Sequence, residues 1–172
     1  FITSGLGGMS GAQPKALEIS GGAGIVAEVD PSRVETRNSQ GWVSKATDDL
    51  ETSVKWMLEA AAEGKALSVA YLGNVVDLLE YLDANDIAVD LISDQTSCHV
   101  PYDGGYTPAG VTFDEGRRLL ATDREQFASL VDESLIRHFK VLDRLTAKGA
   151  HFWDYGNAFM KARDYGKAII AY

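Results

Sequence analysis

Four glycines, Gly5, Gly7, Gly8 and Gly11, crowd the start of the chain just before a stretch with helical character. Glycine reaches positive φ and lets backbone amides approach a ligand closely, and the first turn of a helix offers unpaired N–H groups at the positive end of its dipole. That chemistry suits a pyrophosphate. The spacing is not a clean GxGxxG, because Ser10 stands in the sixth position and Gly11 follows it, so a purely structural turn is the competing reading. Glu28 raises the nucleotide reading: it lies 20 residues after Gly8 at the end of an apolar run, where dinucleotide folds place the acid that binds ribose hydroxyls. A solvated strand-end acid is the alternative, and Asp30 competes for the same role. Three further polar clusters follow apolar runs: Gly73-Asn74, the series Asp94-Gln95-Thr96-Ser97-Cys98-His99, and Asp154-Tyr155-Gly156-Asn157. Asn74 also reads as a helix cap, and residues 95–97 as a chain reversal. His99 could carry a proton, since an unperturbed imidazole titrates at about 6.5; with no paired acid or nucleophile in the sequence, a binding or structural role fits it better. His138 and His151 read as packing or surface residues. Cys98 could be a nucleophile, but a small side chain in a tight loop is the simpler reading.

These groups need a scaffold that brings strand ends together. Helical and strand-like segments alternate along the chain, which predicts an α/β fold built on a parallel sheet with crossover helices. Strands are expected at residues 1–4, 25–29, 67–71, 89–92 and 150–153. A helix is expected over 12–20 with Pro14 in its first turn. A second begins at a cap, Thr47 or Asp48, and carries Leu50, Val54, Met57, Leu58 and Ala61 at helical spacing up to Gly64. A third spans 74–82 with Val75, Leu78, Leu79 and Leu82 on one side. Thr112 with Glu115 is a capping-box signature. Thr122 or Asp123 opens a longer helix in which Phe127, Val131, Leu135, Phe139, Leu142 and Leu145 share a face, ending near Gly149. A terminal helix follows the last strand. Residues 94–110 break the alternation: seventeen residues with two prolines and three glycines make a loop longer than most connections in compact domains, and such loops are usually functional or disordered. In parallel sheets, ligands bind beyond the carboxyl ends of the strands, where all the polar clusters fall.

Composition narrows the partners. The chain of 172 residues is sized for one domain, and 16 Lys plus Arg against 25 Asp plus Glu leave a formal charge of −9, which repels polyphosphate and speaks against nucleic acid or an anionic membrane. No apolar run approaches the roughly 18 residues of a membrane span. The single cysteine excludes an internal disulfide, and three histidines without a CxxC or HExxH pattern supply no metal framework; a reducing compartment fits. The chain opens on Phe1 rather than methionine, and its glycine loop would need a fuller strand before it, so residues 1–172 are expected to be one domain excised from a larger protein.

The stretch Phe1-Ile2-Thr3-Ser4-Gly5-Leu6-Gly7-Gly8-Met9-Ser10-Gly11-Ala12-Gln13-Pro14 closely resembles the NAD-binding segment of the urocanase family. The resemblance continues through Glu28-Val29-Asp30-Pro31-Ser32-Arg33, Leu72-Gly73-Asn74, Asp94-Gln95-Thr96-Ser97-Cys98-His99, Tyr106-Thr107-Pro108-Ala109-Gly110 and Asp154-Tyr155-Gly156-Asn157, covering nearly the whole chain. It implies a Rossmann-like parallel sheet with helices on both faces, inserted in the family within a larger core domain. It also implies a cytoplasmic, homodimeric lyase of histidine degradation that adds water to urocanate, giving imidazolone propionate, with NAD+ as an electrophile rather than a hydride carrier.

Carried over by motif, Gly8, Met9 and Ser10 hold the pyrophosphate, Glu28 the adenosine ribose, and Arg33 lies near the adenosine end. Asn74 and Val75 line the next strand end. Gln95, Thr96, Ser97, Cys98 and His99 match the family's Gln-Thr-Ser-Ala-His run, so Cys98 stands where alanine is common, which argues against a catalytic thiol. Tyr106, Thr107 and Tyr155 match further cofactor contacts, although Thr107 replaces the usual leucine and one extra residue stands near Gly104. No catalytic residue is assigned here, because the family's essential cysteine belongs to a segment beyond this chain; the chain alone is expected to be inactive, with the core domains as its partners. Two other readings stay open: a Rossmann domain of a nicotinamide-dependent dehydrogenase, which would need a substrate domain and a general acid or base, and a non-enzymatic nucleotide-binding module.

Overall fold

The computed structural model describes residues 1–156 together with Ala158 and Phe159. Asn157 and the expected terminal helix therefore lie outside the described residues. The chain divides into two compact units, Phe1–Val75 and Val76–Tyr172.

In the first unit the strands are β1 (Ile2–Ser4), β2 (Ala23–Glu28), β3 (Lys45–Thr47) and β4 (Leu67–Leu72). They are all parallel. β2 pairs with β1 through Ile25 opposite Ile2 and with β4 through Ile25 opposite Val69, and β3 lies on the outer side of β4 with Lys45 opposite Val69. Central parallel strands are covered on both faces and read as continuous apolar runs, which is why Ile25, Val26, Val69 and Ala70 are all fully buried. The crossover helices are α1 (Gln13–Ile19), α2 (Pro31–Ser39) and α3 (Leu50–Ala62).

α2 and β3 occupy what reads in sequence as a polar stretch. α2 is started by Asp30, whose side chain accepts from the Ser32 N–H at 3.0 Å, with Pro31 at the first helical position. Its one buried apolar residue, Val34, joins Leu6, Val26, Val43 and Ala70 in a core cluster. The cap of α3 is Asp49, one residue beyond the expected position, accepting from the Thr52 N–H at 2.6 Å. Its buried face is Ser53, Val54, Met57 and Ala60, while Leu58 is 41% exposed. Leu50 is half-buried and Leu58 and Ala61 are exposed, so the buried face is shifted from the one the apolar spacing suggests.

The second unit holds α4 (Val75–Ala84, whose first residue closes the first unit), β5 (Leu91–Asp94), α5 (Phe113–Thr122), α6 (Arg124–Ala147) and β6 (His151–Asp154). β5 and β6 run parallel with Asp94 opposite Asp154. β5 starts and ends two residues later than the apolar run suggests, and Ser93 and Asp94 continue the strand although both are polar; they are 1% exposed. The Thr112–Glu115 capping box is complete, and Asp123 caps α6. The expected apolar face of α6 is buried at all six positions, Phe127, Val131, Leu135, Phe139, Leu142 and Leu145. Arg137 of α6 reaches Asp77 and Glu80 of α4 at 3.1 and 2.7 Å, and Arg144 and Lys148 reach Asp83 at 2.6 and 3.1 Å. Among the described residues no helix is long and apolar enough to cross a membrane.

Candidate functional site

The glycine-rich turn is built by its neighbours. Gly5 leaves β1 at φ +89°, a conformation that favours glycine, and its N–H donates to the Ala27 carbonyl at 2.8 Å. Leu6 then turns inward and is 1% exposed, a side chain whose burial contributes about 1.5–3 kcal/mol. Its N–H donates to Glu28 Oε2 at 2.7 Å. The Gly7 N–H donates to Ser10 Oγ at 3.0 Å, and the Gly11 N–H returns to the Gly7 carbonyl at 3.0 Å. Among the described residues, the N–H groups of Gly8, Met9 and Ser10 meet no acceptor. Gly8 faces open space, with nothing within 4 Å of where a Cβ would stand, and Met9 is 83% exposed.

Glu28 is buried at the end of β2, and its other oxygen accepts from the Asp30 N–H at 2.9 Å. Arg33 balances its charge from 3.8 Å while also lying 3.4 Å from Asp30. Asp30 is occupied as the cap of α2. The carboxylate of Glu28 therefore braces the turn that carries the glycines, and with about four lone-pair sites it retains acceptor capacity beyond the two amides. Arg37, outside the expected set of contacts, donates from Nε to the Leu6 carbonyl at 3.1 Å and from Nη2 to the Gly7 carbonyl at 2.8 Å. Asn74 and Val75 are buried at the turn leaving β4, and the Gly73 N–H donates to the Glu28 carbonyl at 3.0 Å.

In the second unit the polar run after β5 is organised by Asp94. Its Oδ2 accepts from the Thr96 N–H at 3.0 Å and from Thr96 Oγ1 at 2.6 Å. Thr96 Oγ1 lies 3.3 Å from Cys98 Sγ, and Cys98 is buried, whereas Ser97 and His99 are exposed and Gln95 is half-buried. The long loop has internal structure: a 3-10 turn at Pro101–Asp103, a Gly105 N–H bond to the Val100 carbonyl at 3.0 Å, and Tyr102 Oη donating to Asp132 at 2.7 Å. Asp103 pairs with Arg124. A Cβ at Gly105 would overlap the Ser97 and Val100 carbonyl oxygens, so this close approach requires glycine. Tyr106 is 2% exposed with its hydroxyl 3.4 Å from His138 Nδ1, and the Ala109 N–H donates to Ser134 Oγ at 2.8 Å. Thr107 is half-buried, and Tyr155 is exposed with its ring edge-on to Trp153.

Burial, helped by the negative charge of Asp94, pushes the Cys98 thiol up to about 12. At pH 8 only about one such thiol in ten thousand is the reactive thiolate. Folded protein is therefore expected to resist iodoacetamide at pH 8 until denaturant is added, and Cys98→Ala to change the melting temperature by no more than a few degrees. Rapid alkylation of the folded chain, read by mass spectrometry, would assign the thiol a reactive role. His138 is the opposite case, a base held neutral by burial. Among the described residues no group of three or more His, Cys, Asp or Glu side chains is placed to hold a metal ion.

Comparison with known proteins adds a name to this geometry. A model of the urocanase Rossmann-like domain matches residues 1–169. The chain is 48% identical over 161 residues to a probable urocanate hydratase of Caenorhabditis elegans, covering 93% of this chain and 24% of that protein. It is 47% identical over 165 residues to urocanate hydratase of Mus musculus, with the same coverage of 93% and 24%. A probable urocanate hydratase of Dictyostelium discoideum is 47% identical over 171 residues, 99% of this chain and 25% of that protein. The chain thus spans about a quarter of the length of the relatives it matches. A parallel sheet with crossover helices, a glycine-rich first turn and an acid at the end of the second strand agree with that match, and the chain belongs to the urocanase Rossmann-like domain family.

Proposed function

We propose that this chain is the NAD-binding domain of a urocanate hydratase, which adds water to urocanate to give imidazolone propionate. The observation that carries the reading is the turn after β1, where the N–H groups of Gly8, Met9 and Ser10 have no acceptor among the described residues and Gly8 has no neighbour on its open side. These groups fit the anionic oxygens of a diphosphate, and the carboxylate of Glu28 fits ribose hydroxyls. Bound there, NAD+ supplies an electrophilic nicotinamide. This chain's own residues bind and orient: Gly8, Met9 and Ser10 toward the diphosphate, Glu28 and Arg33 toward the adenosine end, and Asn74 and Val75 at the β4 turn. Gln95, Thr96, Ser97, Cys98, His99, Tyr106, Thr107 and Tyr155 are proposed as further cofactor contacts on the strength of the family motif. A dehydrogenase is disfavoured by the relatives, which are named as hydratases.

Substrate turnover, homodimer formation and a place in histidine degradation belong, in this reading, to the whole protein acting with its core domains. A cytoplasmic setting suits the unpaired thiol of Cys98. Amide hydrogen exchange with and without NAD+ tests the binding role. Added protection is expected at residues 5–11 and separately at 95–106. Protection at 5–11 alone would leave the second segment to the core domains, and none at saturating NAD+ would remove the cofactor from this chain.

A further inference from the structure

Assigning the diphosphate to Gly8, Met9 and Ser10 leaves open what aims those amides. A trans peptide unit points its C=O and its N–H in opposite directions, so the group that holds the Gly7 carbonyl also sets the direction of the Gly8 N–H. Two groups do so, the Gly11 N–H at 3.0 Å and Arg37, near the end of α2, and Arg37 alone of the two also reaches the Leu6 carbonyl. Its Nε and Nη2 donate to the successive carbonyls of Leu6 and Gly7 at 3.1 and 2.8 Å, and Nη1 donates to Gln40 Oε1 at 3.1 Å. A guanidinium is a planar fork with fixed N–H directions, so one rigid group fixes two adjacent peptide planes. The fork is itself held: the ring of Trp42 lies 5.6 Å away, and Gly11 packs so close that a Cβ there would overlap the guanidinium.

We propose that Arg37 is a positioning residue of the anion-binding turn, holding the Leu6–Gly7 and Gly7–Gly8 peptide planes so that the Gly8 N–H is kept off any acceptor among the described residues, and placing a cation behind the turn. This rests on the reading of the turn as a diphosphate site. It also explains Gly11 without assigning that residue a ligand contact: Gly11 is small because the guanidinium occupies the space. Both roles of the arginine act before any ligand arrives, which is the usual advantage of preorganised donors.

The test uses the 172-residue chain and its Arg37→Gln and Arg37→Lys variants, titrated calorimetrically with NAD+ and with adenosine, alongside 15N–1H spectra without ligand. Arg37→Gln should weaken NAD+ binding roughly tenfold and shift the Gly8 amide resonance, while adenosine, which has no diphosphate, binds as before. Arg37→Lys keeps the charge but loses the fork, so it should recover only part of the affinity. NAD+ affinity within twofold of the unsubstituted chain in both variants overturns the inference alone. So does an equal loss for adenosine and NAD+, which marks general damage, or full recovery with lysine, which makes charge the whole effect. Failure of the unsubstituted chain to bind NAD+ overturns the dinucleotide reading, and the inference falls with it.

Discussion

Glu28→Ala should cost the chain both cofactor affinity and stability. The carboxylate holds the Leu6 N–H at 2.7 Å and the Asp30 N–H at 2.9 Å, and removing it strands a buried donor beside Leu6. A buried group left without its partner costs about 1–3 kcal/mol, and loss of a hydrogen bond to a charged group about 1.5–3 kcal/mol. The melting temperature should therefore fall by several degrees, and NAD+ binding should weaken roughly tenfold or more, because the turn is loosened and the ribose acceptor is lost together. In the unsubstituted chain the same carboxylate repels a 2′-phosphate, so NADP+ should bind more weakly than NAD+. Calorimetric titration reads both. Equal affinities for the two dinucleotides, or an alanine variant that binds NAD+ normally, would remove Glu28 from the adenosine end.

Acid should destabilise the second unit through His138. Its ring is 1% exposed, packed 4.5 Å from Phe159 and 6.4 Å from Phe139, with Tyr106 at 6.5 Å. Burial lowers its pKa from 6.5 to about 4, opposed by the negative charges of Asp94 and Glu80. Between those two values the unfolded chain takes up a proton that the folded chain refuses, so stability falls as pH drops from about 6.5 toward 4. A full shift of that size corresponds to about 3 kcal/mol. The denaturant midpoint of the unsubstituted chain should fall relative to that of His138→Phe as pH drops through this window, because phenylalanine cannot charge. Parallel pH profiles would show that His138 does not control the loss.

Much of this was legible before the structure, for physical reasons that differ by element. α6 repeats its apolar residues over 24 positions, and Thr112–Glu115 satisfies two backbone donors reciprocally, so period and cap both announce themselves. α2 has no such period. With Val34 as its one buried apolar residue, it is started by Asp30-Pro31 and tied down by polar contacts, and a reading keyed to hydrophobic spacing passes over it. β3 is a three-residue edge strand, Lys45-Ala46-Thr47, with one face still partly in water. β5 runs past its apolar residues because Ser93 and Asp94 are buried as strand, a tertiary effect. At the candidate site, Gly8 and Glu28 could be found from spacing along the chain. Arg37 could not: its partners, Leu6 and Gly7, lie some thirty residues earlier, and only the docking of α2 over the turn brings them together.

The loop after β5 is pinned at its two ends and loose at its tip. Cys98 and Tyr106 are buried, Thr96 is tied to Asp94, and Ala109 to Ser134. Between them Val100, Tyr102, Asp103 and Gly104 are exposed, held by surface bonds of the kind that contribute little. This division sets where the segment can change length. Adding one residue at the tip costs only about a tenth of a kcal/mol in closure entropy and leaves both anchors in place. The same addition beside Cys98 or Tyr106 would drag a buried side chain out of register with its niche. Insertions and deletions should therefore collect at residues 102–104, and the segment can drift in length across generations while the groups at its two ends keep their positions.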